Sequence, residues 1–351
     1  MGRHEEKENK KSGLKIFLKV ILIILIILIL LVAGAFAFSY WYLNSKLDKI
    51  QYVEIPEEEI EVDEVVEENL EEFRNILLLG IDARSDTFTG ARSDCIILVT
   101  INNKTKDVSL TSIYRDTYLD INGYGLDKIT HAYAYGGALL SMNSINKNLD
   151  LNVKEFATVN FDSVVSVVDA VGGVQIPITS AEVRYINGYI DEINRVTGHS
   201  SSHITSAGTY NLDGVQALAY GRIRYTEGGD YKRTERMRDV LTAVFAKAKT
   251  KSVSELNSLL DVLLPHVYTN ITKDEIISLL PQVFSYNITD SIGWPYETRG
   301  ITLDRWYGIP VTLEENVKRM HVELFNEEDY EVSDTVKTIS NKIVNKTGYR
   351  N

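Results

Sequence analysis

The 351-residue sequence holds one cysteine, Cys95, so no intrachain disulfide can form. That excludes the small secreted folds that disulfides staple together. It has no basic stripe interleaved with aromatic residues, so nothing in it points to nucleic acid. Downstream of residue 72 it has no internal repeat and no low-complexity tract. His199 and His203 stand four apart in a Ser-rich loop with no third ligand nearby. Such a pair reads as an exposed loop feature rather than a zinc site. What the chain has in excess is acid: its net charge is −12. The excess is concentrated in Glu54 to Glu72, an almost purely acidic and aliphatic run, which leaves the rest close to neutral. A local basic pocket is therefore compatible with the overall charge.

Residues 1–19 are polar and basic, with Arg3, Lys7, Lys10, Lys11, Lys15 and Lys19. Val20 to Phe38 carries no charge and is dominated by Ile and Leu. At a rise of ~1.5 Å per residue, about 20 such residues cross the hydrocarbon core of a bilayer. Tyr40, Trp41 and Tyr42 follow, as an interfacial aromatic belt would. A cleaved signal peptide competes with this reading, because small residues stand at 33–35 and 35–37; the apolar run is longer than a usual signal core. An uncleaved signal anchor spanning 20–42 is expected, with the basic tail 1–19 inside and the bulk of the chain outside. Residues 43–72 read as an acidic, solvated stem. Residues 73–326 read as the globular domain and 327–351 as an exposed helical tail.

Within the domain, NILLLGID (75–82) and DCIILVTI (94–101) are continuous apolar runs typical of buried strands, and Val108 to Tyr114 is a third. Strands then alternate with helical stretches: Tyr133 to Leu149, Asp162 to Ala170, Glu182 to Val196, Arg233 to Lys249, Val253 to Val267, Thr272 to Phe284 and Leu313 to Phe325. The pattern predicts an α/β (α+β) fold, a three-layer α-β-α domain with a central mixed sheet, behind one N-terminal transmembrane helix. Asp82 and Asp94 end the loop between the first two strands, so they can lie side by side. Either a cation such as Mg2+ sits between them, or they pair with the neighbouring Arg84 and Arg92.

The densest cationic stretch is YGRIRYTEGGDYKRTERMR, residues 220–238. Arg222 and Arg224 are two apart, so on an extended segment they point the same way. Gly228-Gly229 breaks the chain, Asp230 is placed to cap the next helix, and Arg233 and Arg236 share one face of it. Two arginine pairs brought together by a turn suit a ligand with several anionic oxygens. The competing reading is a solvated helix start with surface ion pairs.

These residues, in this order behind a signal anchor, resemble the LytR–CpsA–Psr family of envelope phosphotransferases. The matching motifs are LLLGIDAR at 77–84, RSDC at 92–95, Arg115-Asp116, GLDKITHAYAYGG at 125–137, VNFDSVVSVVDAVGGV at 159–174 and LDGVQALAYGRIRYTEGGDYKRTER at 212–236. The resemblance implies an enzyme of the Gram-positive cell membrane, single-pass, with its catalytic domain outside. Such an enzyme takes a glycopolymer, teichoic acid or capsule, from an undecaprenyl-pyrophosphate carrier to peptidoglycan as a phosphodiester. It implies Mg2+ on Asp82 and Asp94, with Arg84, Arg92, Arg115, Arg222, Arg224 and Arg233 around the pyrophosphate. It also implies a polyprenyl tunnel between sheet and helices, to which Val164–Val171 and Val240–Ala246 could contribute. Lys128, Asn160, Arg236 and Met237 fall within or beside the motifs and are read as substrate-binding positions. On chemistry alone Asp116 and Asp230 are the candidates to take the acceptor's proton. A polyprenyl-phosphate binding protein, or a lipid pyrophosphatase without ligase activity, is the alternative.

The sequence departs from the family pattern in three places. Tyr114 stands where Pro usually precedes the Arg-Asp pair, Cys95 where Thr usually follows RSD, and Met237 where Gln usually follows the second helix arginine. If that Gln donates to phosphate, the thioether donates nothing. On this reading Met237→Gln preserves or raises transfer; the alternative is that Met237 packs against the lipid tail, where Gln would bury an amide and lower both activity and melting temperature.

Overall fold

The computed structural model describes residues 38–81, 88, 90–279 and 282–350, and only the backbone at Phe161, Asp162 and Val253. Asp82, Arg84 and residues 20–37 of the expected anchor lie outside the described residues. Among the described residues no helix is long and apolar enough to cross a membrane. The chain divides into two units, one up to Lys49 and one running from Ile50 to Asn351. In the first, helix α1 (38–47) exposes Phe38, Tyr40 and Trp41.

The second unit opens with β1 (Gln51–Tyr52) and α2 (Glu64–Asn69). β2 (Phe73–Ile81), β3 (Ser93–Asn102) and β4 (Asp107–Ile113) follow, then a hairpin of β5 (Tyr118–Ile121) and β6 (Gly125–Lys128). Next come α3 (Thr130–Leu149), β7 (Glu155–Asn160), α4 (Phe161–Ala170), β8 (Val174–Ile178), α5 (Ser180–Thr197) and β9 (Gly208–Leu212). Helices α6 (Gly214–Arg222), α7 (Gly229–Ala248) and α8 (Val253–Leu263) lead to β10 (Val267–Thr269) and α9 (Lys273–Leu279). The chain closes with β11 (Asn287–Trp294), the hairpin β12 (Thr298–Thr302) and β13 (Trp306–Pro310), α10 (Leu313–Phe325) and α11 (Asp334–Thr347).

Seven strands form the main sheet in the order β1-β10-β7-β2-β3-β4-β11. β1/β10, β2/β7 and β4/β11 are parallel and the other pairs antiparallel, so the sheet is mixed. The continuous apolar runs of β2 and β3 are explained by cover on both faces. Leu77, Leu79, Ile96 and Leu98 face a core with Met142 and Ile145 of α3, Val317 and Met320 of α10, and Val336 and Ile339 of α11. Cys95, Ile97 and Leu78 alternate to the other face, where Met237, Leu241 and Phe245 of α7 pack. The result is the helix–sheet–helix layering expected.

Three expectations change. The acidic stem is not a solvated linker beyond Ile50. β1 pairs with β10, and Val66 and Leu70 enter the core, so the aliphatic residues among the acids anchor the segment. The final helix is not exposed: Val336, Ile339 and Ile343 form a buried stripe on the same core. The helix read through Val253–Val267 ends at Leu263, and residues 267–269 join the sheet as β10.

Candidate active site

The strand pairing itself presents Asp94. Gly80 pairs with Cys95 and Ile81 with Ser93, so Asp94 is the extra residue of a bulge. A bulge bends the strand and re-aims a side chain. Asp94 Oδ1 accepts from Arg115 Nη1 at 2.7 Å. Its Oδ2 stands 3.9 Å from Arg224 Nη2, and its main-chain oxygen accepts from Arg233 Nη2 at 3.0 Å. Arg115 also faces Asp116 and Asp230, each at 3.4 Å from Nε. Asp116 in turn accepts from Lys128 Nζ at 2.6 Å.

The turn before α7 brings in the remaining groups. Gly228 (φ 85°) and Gly229 (φ 51°) are left-handed, a conformation glycine adopts without steric cost, and Gly228 is the helix N-cap. Asp230 does not cap; it lies in the first turn and accepts from Arg233 Nη2 at 3.1 Å. Buried Arg233 Nε and Arg115 Nε lack a hydrogen-bond partner among the described residues, as does Asp230 Oδ1. Their ion-pair contacts are close but poorly aligned. Burial opposes the charge on Arg115, but Asp230, Asp94 and Asp116 outweigh it and raise its pKa. At Arg233 burial wins: its pKa falls below the ordinary value, with Asp230 opposing and Arg115 and Arg224 adding to the fall. Pairing with a further anion would relieve that unfavourable burial.

The two arginine pairs do not stay together. Arg222 belongs to the last turn of α6 rather than to an extended segment, and donates to Glu192 Oε1 at 3.2 Å. Arg224 follows the extended residue Ile223 and turns to Asp94 and Asp230 instead. Arg236 is buried, with Nε on Glu182 Oε1 at 2.8 Å and further bonds to the Ile223 carbonyl and Thr226. Its donors are engaged by the protein, so it braces α7 against α5 rather than joining the cluster. Arg92 is exposed and makes no polar contact with the described residues. His203 pairs with Asp191 and His199 with Thr197, on the surface.

Beside this cluster lies an apolar cavity of about 500 Å³ between the sheet and the helices α4, α6, α7, α8 and α9. The chain joins the two. Asp94 is followed by Cys95, which lines the cavity; Arg233 reaches the cluster, and Met237 one turn later lines the cavity. Val164, Val167, Val168, Val240, Leu241 and Val244 line it too, as expected. Val165 and Val171, by contrast, belong to the core beneath α4. Asn160 lines the cavity while its Oδ1 caps α4, accepting from Ser163 N at 2.8 Å. Burial pushes the Cys95 thiol up to about 11. Leu260, Leu263 and Ile276 of α8 and α9 also line the cavity. A lining residue and a core residue carry the same apolar signature, so only a surplus of apolar faces on α8 and α9 hinted at it.

Cations that converge beside a long apolar cavity describe a site for an amphiphile with an anionic head. The comparisons decide its lineage: the LytR_cpsA_psr family model matches residues 37–296. The chain belongs to the LytR–CpsA–Psr family. It is similar to the polyisoprenyl-teichoic acid–peptidoglycan teichoic acid transferase TagT of Bacillus subtilis, with 32% identity over 86% of this chain and 93% of that protein. The corresponding TagU of Enterococcus faecalis is 34% identical over 75% of this chain and 82% of its own. A solved structure of TagT with bound octaprenyl pyrophosphate lipid superposes with a TM-score of 0.53 at 29% identity, covering 73% of this chain and 92% of that one. Membership accounts for the order of the motifs, and the geometry shows which of their residues meet.

Proposed function

We propose that the chain is a membrane-anchored phosphotransferase that moves a teichoic-acid-type glycopolymer from a polyprenyl-pyrophosphate carrier to peptidoglycan. The observation that carries this reading is the junction of Arg115, Arg224 and Arg233 with the 500 Å³ apolar cavity. The polyprenyl chain occupies the cavity and the pyrophosphate meets the arginines. The acceptor hydroxyl attacks the phosphorus that bears the polymer. The new O–P bond forms as the bridging P–O bond breaks, and polyprenyl phosphate leaves. Such a reaction needs positioning and charge neutralisation more than covalent help from the protein. Asp116 or Asp230 takes the hydroxyl proton. The uncharged run 20–38 serves as a single-pass anchor, with the catalytic domain on the outer face.

For a divalent cation the described part of the site offers Asp94 Oδ2, which accepts no hydrogen bond from the described residues. Asp82 would be its second carboxylate ligand. One or two carboxylates plus substrate phosphate suit Mg2+, which when bound neutralises charge on the pyrophosphate. Incubation of a labelled lipid-linked donor with and without peptidoglycan tests the reading. Mg2+-dependent transfer that appears only with the acceptor, and is lost in Asp94→Ala, is expected. Release of label into water at the same rate without acceptor would favour a pyrophosphatase.

For Met237 the lipid-side reading is favoured over the phosphate-side one. Its side chain faces the cavity beside Gly221, not the phosphate cluster. Glutamine there buries an amide among aliphatic groups, at roughly 1–3 kcal/mol without a partner. Met237→Gln is therefore expected to lower both donor affinity, by about tenfold, and the melting temperature, by a few degrees. Turnover equal to or above wild type with unchanged melting would restore the phosphate-donor reading.

A further inference from the structure

A small recess shares Asp116 and Asp230 with the cluster and none of its lining with the apolar cavity. It is lined by Asp116, Asp230, Tyr114, Tyr231, Thr298 and Trp306 and holds about 10 Å³, close to the space of one water. A sugar ring cannot enter it, but a single hydroxyl group can. Its two carboxylates are ion-paired to the cluster, Asp116 with Lys128 and Asp230 with Arg233, and a hydroxyl in the recess stands beside both as a neutral donor. Tyr114 and Tyr231 pack ring to ring at 4.4 Å and make the wall stiff.

At the rim stands Trp306, 42% exposed. Its indole packs closely on the neighbouring strand: a Cβ built on Gly300 would stand 2.8 Å from its Nε1, so any larger residue there would displace the ring. Gly308 gives the same ring room at 3.7 Å. The indole is thus held against two glycines, while the residue remains exposed to solvent beside two carboxylates. A pyranose presents a face of C–H groups to the negative face of an aromatic ring and directs its hydroxyls sideways. The hairpin carrying Trp306 lies beyond residue 296, where the family match ends.

We propose that this recess and Trp306 form a saccharide subsite: the ring of a pyranose stacks on the indole and one of its hydroxyls enters between Asp116 and Asp230. This rests on the transferase reading for its role, but not for its detection. The ring belongs either to the acceptor glycan or to the sugar nearest the donor's pyrophosphate.

The full chain in detergent is titrated with a soluble N-acetylglucosamine tetramer, and transfer kinetics are measured for wild type, Trp306→Ala and Trp306→Phe. Wild type is expected to bind the tetramer, Trp306→Ala to bind it roughly tenfold more weakly, and Trp306→Phe to retain most of the affinity. A raised KM for acceptor, with kcat and donor KM near wild type, assigns the ring to the acceptor glycan; a raised donor KM instead assigns it to the donor. Melting temperatures check that the variants are folded, and the phenylalanine variant decides if the alanine one is not. Tetramer binding and both KM values unchanged in Trp306→Ala, or no tetramer binding by wild type together with unchanged KM values, overturns the subsite. If wild type transfers nothing, the functional reading fails separately, and the tetramer titration alone decides this one.

Discussion

Arg115→Ala is expected to reduce transfer by roughly a hundred- to a thousand-fold, the usual loss for a preorganised group aimed at developing charge. Among the described residues, Arg115 is the one that touches Asp94, Asp116 and Asp230 together. Its Nη1 holds Asp94 in place, while its buried Nε stands 3.4 Å from both Asp116 and Asp230, so one guanidinium orients three carboxylates. The three carboxylates raise its pKa despite burial, so it keeps its proton at any pH the protein tolerates and cannot serve as an acid. Its work is electrostatic. Arg115→Lys keeps the charge but loses the planar fork, so it should recover only part of the activity. Arg222→Ala is the control. Arg222 is tied to Glu192 at the end of α6, so its loss should cost far less than the loss of Arg115. Transfer by Arg115→Ala within threefold of wild type would remove the cluster from the reaction.

The layering of the fold was legible because buried strands announce themselves. NILLLGI and DCIILV are apolar on both faces, and helical stretches of adequate length separate the later strands. The short elements were not legible. β10 is three residues long and pairs with β7 more than a hundred residues earlier, and nothing local in Val-Tyr-Thr dictates that. Acid density also misled. A linker and a packed segment can share a charge, and Val66 and Leu70, both buried, are what separate them. At the site, the sequence supplied Asp94, Arg115, Asp116, Lys128, Arg224, Asp230 and Arg233, all of which meet. Spacing along the chain does not tell Arg224 from Arg222, or Arg233 from Arg236, which share a face of α7. Two residues along the chain become a turn of direction where α6 ends at Arg222, and a buried Glu182 from α5 claims Arg236. Partner choice of that kind is tertiary, and spacing alone does not hold it.

Filling the cavity should disable the protein without touching a charge. Val164 and Val167 line it from α4 and are only half-buried, so phenylalanine at both positions can extend into open space. Excluding four or five methylene equivalents of a polyprenyl chain, at about 0.8 kcal/mol each, removes roughly 3–4 kcal/mol of donor binding. That is a loss of between a hundred- and a thousand-fold in affinity. Overpacking a filled core destabilises, but this cavity is large enough to receive the rings, so the melting temperature should hold or rise. The arginine cluster is unaltered, so a water-soluble donor with a short prenyl chain should still react in the double variant at a rate near that of wild type. This pair of results separates a lipid tunnel from a packing defect. A packing defect would lower stability and act on both donors alike. Unchanged affinity for the full-length lipid in a stable Val164→Phe/Val167→Phe protein would show that the polyprenyl chain lies elsewhere, and would leave the cavity without its assigned occupant.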